Sequence, residues 1–244
     1  MISVIVPVYN RIELLKKTLD SIFAQTYKDV EVIVVNDGST DEWPSVQLPR
    51  NDGGVGPQAL TVIHQPNRGA PTARNRGLAE ANGEYVIFWD ADVIGEPKML
   101  EKLKSALDEH PQASFSYCSF EIQDTRYKIQ KKIKSKKFNV QDLQKNNFIH
   151  TTSLIRRKDV VRWDEDLKRF QDWDLWLTMS EMGKTGVWVD DCLFTVLGGG
   201  TMSNWLPSFA YKAPFKWLPF ISKSVRKYEE AKKIVLQKHR NSNF

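Results

Sequence analysis

Two short stretches near the start, Ile2–Tyr9 and Val30–Asn36, are nearly unbroken runs of Val and Ile in which apolar and polar residues do not alternate. A strand with one wet face alternates with period two, so a run without alternation belongs to a strand covered on both sides. That confines the chain to a sheet with helices on both faces. Between the runs, Glu13–Gln25 places Leu14, Leu15, Leu19, Ile22 and Phe23 on one helical side. Leu60–His64 and Glu84–Trp89 read as a third and a fourth strand, with a helix over Pro71–Ala81 between them. Strand and helix in alternation predict a parallel sheet.

Beyond residue 95 the pattern is less regular. Helices are expected over Pro97–Glu109 and Asp172–Met182, and strands over Ala113–Ile122, His150–Arg156 and Val187–Asp190. Glu42–Gln58 reads as a long loop rich in Pro and Gly, and Gly198 to Gly200 as a flexible joint. The basic stretch holding Arg126, Lys128, Lys131, Lys132, Lys134, Lys136 and Lys137 reads as a solvated loop.

Composition narrows the class. The 244 residues suit one domain with an appendage, and 41% hydrophobic with 11% aromatic content excludes a disordered chain. No apolar run approaches the roughly 18 residues of a membrane span. The N-terminus has strand character and does not resemble a signal peptide. Cys118 and Cys192 have no zinc spacing and read as reduced packing thiols, which suits a cytoplasmic location. The net charge of +5 is uneven: residues 1–200 hold 26 basic and 28 acidic side chains, residues 201–244 hold 9 and 2. The body is slightly acidic and the tail carries the excess.

In an open α/β sheet the ligand crevice lies outside the carboxyl ends of the strands. Tyr9-Asn10, Asn36-Asp37-Gly38-Ser39 and Asp90-Ala91-Asp92 all follow strands, so they should converge there. Paired carboxylates such as Asp90 and Asp92 suit a hard divalent cation that also takes phosphate oxygens. Asp37 can accept from a base imide or a ribose, or simply cap a turn. Arg74, one turn into the helix after Gly69, is a fixed donor for a base or phosphate. In Gln171-Asp172-Trp173-Asp174, residues two apart point to opposite sides of a helix. One Asp is therefore a candidate general base and the other a cap or surface group. Trp173 and Trp176 can stack on a sugar or pack in the core.

Taken together, Pro7-Val8-Tyr9-Asn10, Val34 to Asp41, the Gly-x-x-x-Ala-Arg-Asn-x-Gly run over 69–77, Asp90-Ala91-Asp92 and Gln171 to Trp176 resemble family 2 glycosyltransferases in order and spacing over residues 1–203. The resemblance implies an α/β GT-A fold, a single Rossmann-like mixed sheet flanked by helices. It implies an inverting hexosyltransferase with a nucleoside diphosphate sugar donor, UDP-linked hexose or N-acetylhexosamine, and a glycan or lipid-linked acceptor in surface polysaccharide synthesis. The positions matching Pro7, Tyr9, Asp37, Arg74 and Asp90 line the nucleotide pocket, Asp92 holds Mg²⁺ or Mn²⁺, and Asp172 is the base. Two positions depart from the family pattern. The helix motif normally starts Glu-Asp, and Gln171 removes a charge beside Asp172, which should raise its pKa less. A His usual near residue 200 is missing, leaving Thr201 or Ser203 with the glycine amides as diphosphate donors. His150 stands where relatives line the donor-sugar and acceptor pocket, with a structural role as its alternative.

Residues 204–244 form an expected helical tail in which Trp205, Phe209, Tyr211, Phe215, Trp217, Phe220 and Tyr228 interleave with basic residues. Such a segment either packs back on the domain or lies on an anionic membrane surface; the latter, at the inner face of the cell membrane, is the expectation, since a lipid-linked acceptor would be there. Nucleic acid is not an expected partner, because no recognition module accompanies the charge. The competing functions are a catalytically silent sugar-nucleotide scaffold and, below it, a nucleotidyltransferase, which lacks its Gly-rich first loop at residues 7–12.

Overall fold

A computed structural model describes residues 1–41, 59–124, 129–198 and 219–240. β1 (Ile2–Val8), β2 (Val30–Asp37), β3 (Ala59–Gln65) and β4 (Tyr85–Phe88) lie parallel in the order β3-β2-β1-β4. The sheet then turns mixed through β5 (Val93–Gly95), β6 (Phe115–Asp124), β7 (Ile129–Ile133), β8 (Leu154–Arg156) and β9 (Gly186–Leu197), in the order β4-β8-β6-β9-β5 with β7 on β6. Every residue of β1 and all but Glu31 in β2 are buried, as strands without alternation require.

Helices α1 (Ile12–Phe23) and α3 (Met99–Glu109) cover one face through Leu15, Leu19, Ile22, Leu100, Leu103 and Leu107. The other face lies under α2 (Ala70–Glu80), α4 (Val140–Lys145), α5 (Gln171–Glu181) and α6 (Pro219–Lys238), through Ala73, Leu143, Trp173, Trp176 and Val235. Truncating one of these fully buried leucines, such as Leu19, should cost about 2–5 kcal/mol.

The basic stretch differs from the expected loop: Ile129–Ile133 pairs antiparallel with Phe120–Asp124. β6 is ten residues long while β8 covers only its first two, so the rest of that edge is open to another strand. Lys131 and Lys132 are exposed on β7, and such charges protect an outer edge from further pairing. β9 runs Gly186–Leu197, well beyond the expected Val187–Asp190, because β6 and β5 supply partners along it. The expected strand at His150 begins only at Leu154. Cys118 is buried, and burial pushes its thiol up to about 12, consistent with a packing role. No described helix is long and apolar enough to cross a membrane. The helical part of the tail packs on the domain, with Val235 fully buried. The 42–58 loop, the 203/204 boundary, Thr201, Ser203 and the aromatics from Trp205 to Trp217 lie outside the described residues.

Candidate active site

The crevice opens between β1 and β4, where the strand order reverses. The β4 ladder ends at Ile5↔Phe88, with Trp89 N–H donating to Ile5 C=O at 2.8 Å. Two residues on, Pro7 has no N–H to offer that side and needs none, since the chain after Trp89 has left the sheet. Past β1, Tyr9 is 46% exposed. Asn10 adopts a left-handed φ of 50° and its Oδ1 accepts from Thr40 N–H at 2.7 Å. The first N–H of α1, Ile12, donates to Asp41 Oδ2 at 3.0 Å and so is capped from the β2 loop. The two strand-end loops are thus fastened to each other.

Asp37 is 3% exposed and works within the protein. Its Oδ1 accepts from Gln65 Nε2 and Arg68 N–H, and its Oδ2 from Gly69 N–H, at 2.8–2.9 Å. These bonds shape the turn that starts α2, where Gly69 has a φ of 93°. One turn later Arg74, almost buried, places Nη2 2.7 Å from Asp90 Oδ1 and its guanidinium 4.5 Å from the centre of the Trp163 ring. Its Nε is buried without a partner, so the pair is incompletely satisfied.

Asp92 lies beside this pair. Thr18 Oγ1 donates to the Ala91 carbonyl and Leu197 N–H to the Asp92 carbonyl, fixing the loop from both sides. Burial, aided by the Asp90 charge, pushes the Asp92 carboxyl up to about 6, although Arg11 Nη1 stands 3.9 Å away. Across the cleft, Asp172 Oδ2 accepts from Asn147 Nδ2 at 2.8 Å, and burial raises its pKa despite the neutral Gln171 beside it. Gln171 Nε2 donates back to Leu167 C=O. His150 packs between Phe120 and Phe194, and burial pushes it down to about 4, so it is neutral near pH 7. Its Nδ1 accepts from Thr152 N–H at 3.0 Å, leaving Nε2 as the protonated nitrogen. Asp90 and Arg74 are close enough to influence both Asp172 and His150 electrostatically.

Arg74, Asp90, Asp92, His150 and Asp172 therefore share one cleft, with Tyr9 and Asp37 on its β1 and β2 side. Asp174 is neither a cap nor a surface group: it is buried on the opposite side of α5, against α6. Trp173 and Trp176 are core residues whose indole N–H groups donate to Leu143 and Ile149 carbonyls. The sequence reading missed Arg11, Asn147 and Trp163. Arg11 adjoins the Tyr9-Asn10 segment and was open to notice there, whereas Asn147 and Trp163 come from irregular segments without a spacing signal.

A family model described as "Glycosyl transferase family 2" matches residues 3–163. An uncharacterized glycosyltransferase of Rickettsia typhi is 29% identical over 188 residues, 72% of this chain and 57% of that protein. Glycosyltransferase GlyA of Streptococcus pneumoniae is 44% identical over 109 residues, 45% of this chain and 15% of that protein. The chain thus spans only part of the length of these relatives. Among solved structures, S. aureus TarS in complex with UDP-GlcNAc superposes with a TM-score of 0.68 at 21% identity, over 99% of this chain and 72% of that one. The mannosyltransferase PcManGT from Pyrobaculum calidifontis, in complex with GDP-Man and Mn²⁺, gives 0.57 at 19%, over 100% and 76%. A GT-A sheet with its acidic cleft at the β1/β4 switch point and a family match over most of the domain agree: the chain belongs to glycosyltransferase family 2.

Proposed function

We propose that the chain is an inverting glycosyltransferase that moves a hexose or N-acetylhexosamine from a UDP-linked donor to a hydroxyl of a glycan or lipid-linked acceptor in surface polysaccharide synthesis. The observation that carries this reading is Asp172: a half-buried carboxylate whose pKa is raised by desolvation, held by Asn147, across the cleft from the Arg74–Asp90 pair. Desolvation raises the basicity of a carboxylate, which suits it to take a proton from an acceptor hydroxyl. In a single in-line displacement the acceptor oxygen bonds to the anomeric carbon as the carbon–phosphate oxygen bond breaks. The bonding pair leaves with the diphosphate, and the hydroxyl proton goes to Asp172.

Pro7, Tyr9, Arg74 and Asp90 bind the nucleotide in this reading. Tyr9 offers an exposed ring for the base, and Asp37 builds the pocket wall through its turn. His150 presents a neutral Nε2–H to the donor sugar. Gln171 bonds within its own loop and so contributes by shaping the rim, while Thr201 and Ser203 remain diphosphate candidates. Asp92 is the residue that would hold Mg²⁺ or Mn²⁺. Among the described residues no group of three or more His, Cys, Asp or Glu could hold a metal ion, but one carboxylate plus phosphate oxygens and water is the usual arrangement for Mg²⁺. A half-buried Asp whose carboxyl is pushed up to about 6 by desolvation and by Asp90 fits that need, since a cation would offset the crowded negative charge. When bound, the cation would neutralise charge developing on the leaving diphosphate. The UDP-GlcNAc complex of TarS, which has the same fold, supports the uridine donor.

UDP binding by calorimetry, with and without Mn²⁺, and release of UDP from UDP-GlcNAc test the proposal. Asp172→Asn should keep UDP affinity and lose at least 10³-fold in turnover. Asp92→Ala should lose the Mn²⁺ dependence of UDP binding. Near wild-type turnover in Asp172→Asn would remove the base assignment, and UDP binding without any UDP release by the wild-type chain would leave a silent scaffold.

A further inference from the structure

The side of α5 that faces away from the cleft is gripped by the C-terminal helix. Lys238 Nζ bridges both oxygens of Asp174, at 2.8 and 3.0 Å, and also reaches Asp164 Oδ2 at 2.7 Å. The buried His239 ring donates from Nε2 to Asp174 Oδ1 at 2.9 Å and from Nδ1 to Glu181 Oε1 at 2.5 Å. Carboxylates only accept, so a ring with both nitrogens on carboxylates carries both protons and a positive charge. Asp174 is in the first turn of α5 and Glu181 at its end, about 10 Å apart along the axis, so one imidazolium ties the helix at both ends.

The same helix reaches the base more directly. Tyr228 meets the Phe170 ring edge-on at 5.1 Å, and Phe170, with a left-handed φ of 56°, is the residue on which α5 starts. Lys232 Nζ lies 5.6 Å over the Trp173 ring. Asp172 is therefore flanked by two residues, Phe170 and Asp174, that α6 holds. Asp164, the other residue on Lys238, adjoins Trp163, the ring beneath Arg74.

We infer that Lys238 and His239 are positioning residues for the transfer reaction: by clamping Asp174, Glu181 and Asp164 they fix the first turn of α5 and hence the direction of the Asp172 carboxylate. This rests on the reading of Asp172 as the base. Full-length Lys238→Met and His239→Ala test it, with UDP release from UDP-GlcNAc expressed per UDP-binding site, so that unfolded molecules drop out. The expected result is UDP affinity within about twofold of wild type and a kcat at least tenfold lower. Lys238→Arg should restore kcat to within about threefold, because a guanidinium can still bridge Asp164 and Asp174. If His239→Ala does not fold, Glu181→Gln, which keeps an acceptor for Nδ1 but removes one charge, takes its place and should show a smaller loss of the same kind. A kcat per site within twofold of wild type in Lys238→Met and the His239 or Glu181 variant overturns the inference. So does an arginine that fails to restore kcat while restoring the melting temperature. Asp172→Asn separates the two readings: if it is inactive while the clamp variants turn over normally, only the positioning role falls.

Discussion

Asp172 and Asp174 stand two residues apart on α5, and the regions they face treat a carboxylate in opposite ways. On the cleft side Asp172 is met by neutral amides, the Asn147 side chain and the Trp173 backbone N–H, Asp92 is crowded by Asp90, and Arg74 keeps an unpartnered Nε. On the α6 side Asp174, Asp164 and Glu181 are matched to Lys238 and His239. Helical geometry produces the division, since alternate positions point apart. The charges that a ligand is to meet are left wanting protons or cations, while those that hold the helix are saturated from within the chain.

The same chemical change should therefore have opposite signs at the two positions. Asp174→Asn leaves the buried His239 facing one anion fewer, and should destabilise by about 3 kcal/mol. In a chain of this size that lowers the melting temperature by roughly 6–12 °C. Asp172→Asn removes a carboxylate whose raised pKa marks its ionised form as unfavourable in the folded state, so it should melt a few degrees higher while turnover is lost. Parallel melting curves at pH 7 check both. If both variants move down together, the contrast between the two sides of α5 does not hold.

How much was legible follows from the range of each interaction. β1, β2 and the acidic strand ends were readable because burial on both faces writes itself into consecutive residues, and the crevice follows from the strand ends. β7 was not, because Gln130, Lys131 and Lys132 carry no strand pattern of their own; the open edge of β6 selects them. Asp174 reads as a cap or surface group because its partners, Lys238 and His239, lie 64 and 65 residues away. Nothing within a local window signals a charge matched at that distance. The same holds for Asn147, which meets Asp172 across 25 residues.

The smallest expected effect is a dependence of the clamp on pH. The carboxylates of Asp174 and Glu181 raise the pKa of His239 above its ordinary 6.5 against the cost of its burial. A group whose pKa is higher in the folded state adds stability that is fully present below its unfolded value and fades as pH climbs through the folded one. The melting-temperature advantage of the wild type over His239→Gln should thus be full below pH 6.5 and shrink as pH climbs through the raised folded-state pKa. The cleft should run the other way in activity: Asp172 must lose its proton to act, so turnover should rise with pH from an onset above the ordinary Asp range near 3.9. The two trends together predict a window in which the base is ionised and the clamp still charged. Turnover and melting temperature measured from pH 4 to 10 would locate it, and a wild-type advantage that stays constant across that range would show that His239 holds α5 by shape alone.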